Sequence, residues 1–272
     1  MAWELYEGDH LEIMPKHIAD ESIDLTVTSP PYDDLREYKG YKFDYKKLAK
    51  ELYRVTKPGG VVVWVVGDAT INGSETGTSF RQALHFMEIG FNLHDTMIYH
   101  RKSPFPGNIR YFQAFEYMFV LSKGKPRTFN PLKQLKSKKS FGKNPSTYTY
   151  RDKNGGITKT DEAAQNRLAL ANDRQERDRD NIWYYGTGYM VSSPDKMSFE
   201  HPAIFPEKLA RDHIVSWSNP GDTILDPMAG SGTVLKVAEQ LGRNSIGIEI
   251  SGEYCDIIRK RLDKLQMTIF NF

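Results

Sequence analysis

The stretch that most narrows the fold runs from Thr223 to Glu249. Thr223-Ile224-Leu225-Asp226 reads as a short buried strand. Pro227-Met228-Ala229-Gly230-Ser231-Gly232-Thr233 then turns the chain into a helix carrying Val234, Leu235, Val237, Ala238 and Leu241. After the turn Gly242-Arg243-Asn244 comes a second strand, Ser245-Ile246-Gly247-Ile248-Glu249. Strand, glycine loop, helix, strand and terminal acid is the layout of a nucleoside-binding βαβ unit. Gly230 and Gly232 allow the backbone to come close to a ligand. The helix N-terminus offers free N–H groups to a carboxylate or phosphate. Glu249 lies 17 residues beyond Gly232, where a carboxylate can accept from both ribose hydroxyls. Two glycines also suit a plain strand-to-helix turn, so the placed acid carries the reading. Position 235 is Leu, not a third glycine, which argues against a nicotinamide cofactor.

The rest of the chain alternates in the same way. Leu5 to Asp9 is a strand ending in a Gly-Asp turn, and Leu11, Met14 and Ile18 follow at helical spacing. Asp9 suits either an N-cap or a ligand contact. Ile23 to Thr28 is a strand. Tyr45, Leu48, Leu52 and Val55 mark a helix that Lys57-Pro58-Gly59-Gly60 ends. Val61 to Val66 is a β-branched run suited to a strand covered on both faces. Ser79 to Gly90 is helical with Phe80, Leu84 and Met87 on one side, and Asn92–His100 and Glu116–Leu121 are further strands. A helix spans Glu207 to Trp217, and Tyr254, Ile257, Ile258, Leu262 and Leu265 mark the closing one. The alternation predicts an α/β chain with a doubly wound, mostly parallel sheet.

Thr28-Ser29-Pro30-Pro31-Tyr32 stands at the carboxyl end of the second strand. Two prolines end regular pairing, and Ser29, preceding one, is pushed extended. Open α/β sheets bind ligands at that end. A hydroxyl, carbonyls and one ring there suit a flat amino-bearing ring, although the tetrapeptide alone is also a common surface turn.

Charge is uneven. Lys123 to Lys159 holds eleven basic residues against Asp152 alone, +10 in a chain of net charge +2. Helical and strand periodicity is lost from about Lys123 to Asp180, and Phe129, Phe141, Tyr148 and Tyr150 are interleaved. Such a segment is either a solvated loop or the contact for a polyanion. We read it as a target-recognition insertion over residues 123–199, between catalytic segments 1–122 and 200–272. The longest apolar run, Val61–Val66, is too short for a membrane span, and Met1-Ala2-Trp3-Glu4 lacks a signal-peptide pattern. A cytoplasmic chain without a membrane partner is expected. One cysteine, Cys255, excludes an internal disulfide, and the seven histidines lack paired metal-ligand spacing, so no metal is expected.

Together these motifs resemble the β-group of DNA amino-methyltransferases, in which the Ser-Pro-Pro-Tyr motif precedes the glycine motif and the recognition region lies between. The resemblance implies a Rossmann-like methyltransferase fold with circularly permuted motif order and S-adenosylmethionine as cofactor. It assigns Ser29, Pro30, Pro31 and Tyr32 to the catalytic loop. Asp226, Pro227, Met228, Ala229, Gly230, Ser231, Gly232 and Thr233 become the cofactor loop, with Met228 where phenylalanine is commoner. Asp9, Thr28, Phe205, Pro206, Lys208 and Glu249 complete the cofactor contacts. Tyr99-His100-Arg101-Lys102 and Phe115-Glu116-Tyr117 resemble the region before the insertion. Arg101, Lys102, Lys133, Lys136, Lys138, Lys139, Lys143 and Arg151 are the expected DNA contacts.

Serine at the head of the loop implies, by the same resemblance, transfer to the N4 amine of cytosine; members with aspartate there mostly modify adenine N6. Both remain open, as does an RNA substrate. Ser29 Oγ and the Pro30 carbonyl would accept the amine hydrogens while Tyr32 stacks on a flipped base. A ring-carbon mechanism needs a thiolate, and Cys255 sits in the last helix, away from either loop. The resemblance implies duplex DNA as partner and admits a cognate restriction endonuclease and a homodimer.

Overall fold

The computed structural model describes residues 2–31, 43–101, 111, 113–135, 149–151, 153–159, 176–201 and 204–270. In chain order, β1 (Trp3–Glu7), α1 (His10–His17), β2 (Ile23–Thr28), α2 (Tyr45–Val55) and β3 (Thr56–Val66) come first. The small hairpin β4 (Thr70–Ile71) and β5 (Ser74–Glu75) leads to α3 (Thr78–Ile89), β6 (Asn92–His100) and β7 (Phe115–Ser122). Four short strands follow: β8 (Lys133–Leu135), β9 (Thr149–Arg151), β10 (Ile157–Lys159) and β11 (Glu176–Asp178). Then come β12 (Ile182–Tyr184), a 3₁₀ turn at Lys196–Glu200, α4 (Glu207–Trp217), β13 (Thr223–Asp226), α5 (Thr233–Gln240), β14 (Asn244–Glu249) and α6 (Gly252–Phe270).

Eight strands form one sheet in the order β1-β14-β13-β2-β3-β7-β6-β12. All neighbours are parallel except β7, which runs antiparallel to β3 and β6. Because the other strands share one direction, β7 brings its first residues, not its last, to their carboxyl ends. The doubly wound expectation therefore holds with one strand reversed.

Local chemistry accounts for the element ends. Asp44 Oδ1 accepts from Lys46 and Lys47 N–H and caps α2. The strand after α2 begins earlier than its β-branched run: Ile23 faces Thr56 but Leu25 already faces Val61, so Lys57–Gly60 bulge out of the ladder. Pro58 has no N–H to give, and Gly59 takes the left-handed φ of 78° that the bulge needs.

Leu48, Leu52, Val55, Val62, Trp64, Val66 and Phe86 share one buried cluster. Alternation sends Val61, Val63 and Val65 to the opposite face, where they are also buried. A smaller cluster joins Ala229, Leu235, Ile258 and Leu262. Each fully buried large side chain contributes on the order of 1.5–3 kcal/mol. In α3 the apolar side read from sequence faces outward: Phe80, Leu84 and Met87 are exposed, and Ser79, Gln82, Ala83 and Phe86 are buried. Gln82 belongs inside because its Oε1 accepts from Trp64 Nε1 at 2.7 Å.

Two compact units are distinguished, one of residues 1–130 with 181–272 and one of Pro131–Asp180. The smaller carries the antiparallel pairs β8/β11 and β9/β10. Residues 123–130 and 181–199, read from sequence as part of the insertion, belong to the larger unit. There β12 pairs with β6, and Asn130 N donates to Ser216 O at 2.8 Å.

Candidate active site

Around the carboxyl ends of β2, β13, β14 and β6, and the start of β7, lies a cavity of about 580 Å³. Thr28, Ser29, Pro30 and Pro31 line it, as do Asp226, Pro227, Met228, Ala229, Gly230, Ser231, Thr233 and Glu249. The two motifs thus converge across 198 residues of sequence, and one hydrogen bond joins them: Thr28 Oγ1 donates to Asp226 Oδ1 at 2.8 Å. The same oxygen accepts from Met228 N at 3.2 Å. Burial pushes the Asp226 carboxyl up to about 7; nearby Glu249 adds to the rise, while the Thr28 and Met228 bonds oppose it.

The glycine loop owes its path to two left-handed residues, Gly230 at φ 54° and Gly232 at φ 75°. A Cβ on Gly232 would stand 2.9 Å from Ile258, and one on Gly230 would stand 3.2 Å from the His201 ring. Gly232 starts α5 without lining the cavity. Glu249 Oε2 accepts from Gly230 N at 2.8 Å and Oε1 from Ser251 N at 2.9 Å. Burial raises its pKa, and the backbone N–H groups of Ser251, Gly230 and Ile250 offset part of that. Each carboxylate oxygen keeps a second lone pair for a ligand hydroxyl.

Phe205 and Pro206 line the cavity where α4 begins. Lys208 is exposed on α4 and is absent from the lining. Asp9 acts as the N-cap of α1, its Oδ1 accepting from Leu11 N at 2.8 Å; its neighbours Gly8 and His10 reach the cavity. Burial lowers the His10 pKa to about 4 despite Asp9 nearby, so the ring is neutral at pH 7. Arg101 lines the cavity with Nε 3.4 Å from Glu116 Oε1. Lys133 is bonded to Asp178 within the smaller unit. Tyr32, Lys102, Lys136, Lys138, Lys139 and Lys143 lie outside the described residues, and Arg151 is described only as part of β9.

Several lining residues have no signal in the sequence alone. His10, Tyr189 and Phe199 belong to no motif that periodicity or spacing marks. Tyr99 and Glu116 become neighbours only through the β6/β7 register. Behind the glycine loop, the fully buried Arg261 donates from Nη1 to Ser231 O, from Nε to Asp195 Oδ2 at 2.8 Å and from Nη2 to Glu207 Oε1 at 3.2 Å. Lys236 Nζ donates to the same Glu207 oxygen at 2.8 Å. Burial works against ionised Asp195, yet Arg261 and Lys236 hold its carboxyl below the usual range. This network fixes a loop carbonyl to α6 and to the segment before α4. Cys255 is a buried packing residue whose thiol burial pushes up to about 11, far from a thiolate at neutral pH.

A family model described as DNA methylase matches residues 23–260. The orphan methyltransferase M.BamHII of Bacillus amyloliquefaciens is 57% identical over 250 residues, 92% of this chain and 92% of that one. The type II methyltransferase M.MjaI of Methanocaldococcus jannaschii is 30% identical over 307 residues, spanning 93% of this chain and 89% of the relative. Among solved structures, the PvuII DNA methyltransferase (cytosine-N4-specific) superposes with a TM-score of 0.69 at 22% identity, over 96% of this chain and 86% of that one. That likeness is one of fold.

Proposed function

Because the chain belongs to the DNA methylase family of S-adenosylmethionine-dependent amino-methyltransferases, we propose that it methylates the exocyclic N4 amine of a cytosine flipped out of duplex DNA. The observation that carries the reading is the convergence of Ser29 and the glycine loop on one cavity, joined by the Thr28–Asp226 bond.

The residues fit the cofactor. Gly230 makes a left-handed turn on the cavity wall, where a Cβ would stand 3.2 Å from the His201 ring, and Glu249 presents a fixed carboxylate with lone pairs to spare. S-adenosylmethionine, when bound, supplies a methyl group on a sulfonium, electrophilic enough for direct displacement. Glu249 would hold the ribose hydroxyls, and the loop from Asp226 to Thr233 would enclose the rest. The chemical difficulty lies with the amine, whose lone pair is delocalised into the ring. Ser29 Oγ and the Pro30 carbonyl would accept its two hydrogens, drawing the nitrogen toward a tetrahedral form with its lone pair directed at the methyl group. Tyr32 is the stacking partner in this scheme.

Serine at position 29 supports cytosine, and the PvuII enzyme of the same fold is named cytosine-N4-specific. M.MjaI is named a type II methyltransferase and M.BamHII an orphan methyltransferase. The test is transfer of labelled methyl to unmethylated duplex DNA with mass identification of the nucleoside. N4-methylcytosine is expected, and N6-methyladenine would overturn the assignment of the base. Ser29→Ala should keep cofactor binding in calorimetry and lose transfer by roughly 100-fold or more, the usual loss for a group acting on the reacting centre. Full activity in that variant would sink the catalytic role of the loop.

A further inference from the structure

The cavity has a wall that the motifs leave unassigned. β6 and β7 pair antiparallel with Tyr99 directly opposite Glu116, so the two side chains share a face. Arg101, two residues beyond Tyr99, points the same way, while His100 turns to the other side and packs on Tyr184 at 4.7 Å between ring centroids. Tyr99, Arg101 and Glu116 all line the cavity.

Sheet order gives this wall its side. β2, which ends in the Ser29 loop, lies between β13 with its glycine loop and the β7/β6 pair. The cofactor residues and the Tyr99 wall therefore flank the catalytic loop from opposite sides. Tyr99 is only 3% exposed, and its hydroxyl has no hydrogen-bond partner among the described residues. Buried hydroxyls are nearly always paired. This ring is held in place: it packs on Tyr185 at 5.9 Å between centroids, and Tyr185 Oη donates to Asp212 Oδ2 at 2.5 Å. Burial raises the Tyr99 pKa, with Glu116 adding to it, so the phenol stays protonated and able to donate.

We propose that the Tyr99 hydroxyl donates a hydrogen bond to the ring nitrogen beside the amino-bearing carbon of the flipped base, on a wall completed by Arg101 and Glu116. The assignment rests on the amine-methylation reading above. In cytosine the acceptor is N3; in adenine the equivalent atom is N1. A donor there fixes the base so that its amine meets Ser29.

Tyr99→Phe tests this with little structural disturbance. On a duplex that the wild type modifies, kcat/KM for DNA should fall about 10-fold, the loss expected for one neutral hydrogen bond. Cofactor affinity should be unchanged, and the melting temperature unchanged or raised, because a buried unpaired hydroxyl has been removed. The second arm uses duplex DNA with 3-deazacytosine at the target position, or 1-deazaadenine if adenine is modified. There the wild type should lose activity and Tyr99→Phe should lose no more. Undiminished transfer by the variant on normal DNA, a further 10-fold loss on the analogue, or weakened cofactor binding would each overturn the assignment. A wild type inert on every duplex would overturn the function reading and this assignment together; an active wild type matched by Tyr99→Phe overturns the assignment alone.

Discussion

Replacing Asp226 by asparagine keeps an acceptor for Thr28 and Met228 and removes the titrating carboxyl. The magnitude follows from burial. A carboxyl moved from 3.8 to about 7 is a proton site that the folded chain holds more tightly than the unfolded chain. Between those values the folded state binds the extra proton, so the contribution to stability is present at low pH and lost as pH rises through 7. At 1.36 kcal/mol for each tenfold change in proton affinity, the aspartate costs folding about 2 kcal/mol at pH 5 and about 4 kcal/mol at pH 8. The neutral amide carries no such cost. Urea unfolding of both proteins without cofactor, repeated from pH 5 to 8, should give a difference that widens in favour of Asp226→Asn and levels off near pH 7.5. The difference reports position 226 together with its coupling to Glu249, since groups remote from that pair titrate equally in both. A constant offset, or a variant less stable than wild type at pH 8, would refute the argument.

Two further outcomes test other parts of the molecule. Arg261→Met leaves Lys236 alone to neutralise Asp195 and Glu207 behind the glycine loop; breaking such a buried network should cost about 3–5 kcal/mol in denaturant unfolding, and a loss under about 1 kcal/mol would show the network to be incidental. Changing Lys136, Lys138 and Lys139 together to Ala should weaken duplex binding and reduce the slope of log affinity against log salt by about 0.9 for each phosphate no longer neutralised; an unchanged slope would make that segment a spacer.

The parts of the fold legible in the sequence are those with a clear local pattern bounded by turn residues. β13, β6 and α4 match their expected limits, and β14 differs by one residue. The glycine loop and its acid were legible because a left-handed turn and a carboxylate at a strand end are each required by local chemistry. Pairing over long distance was not. The direction of β7 depends on which neighbours it finds, so Glu116 reaches the cavity from a strand's beginning, where reading strand ends for ligand contacts does not look. The buried face of α3 was missed because Gln82 is polar by composition and interior by virtue of one bond to Trp64. Arg261 reads as a surface charge on the closing helix until the fold brings Asp195 and Glu207 to it.

The strand order also bears on how the chain is made. β1 is synthesised first, yet its sheet neighbour is β14, the last strand, and β13 and β14 together separate β1 from β2. At roughly 5–20 residues per second a ribosome needs tens of seconds to pass from Glu7 to Glu249. For that interval β1 has no native strand to pair with, and β2 carries one open edge. Closure of the sheet thus waits for β14 to emerge. The glycine loop belongs to that same late stretch, so the nascent chain holds its Ser29 loop well before the segment that completes the cavity beside it.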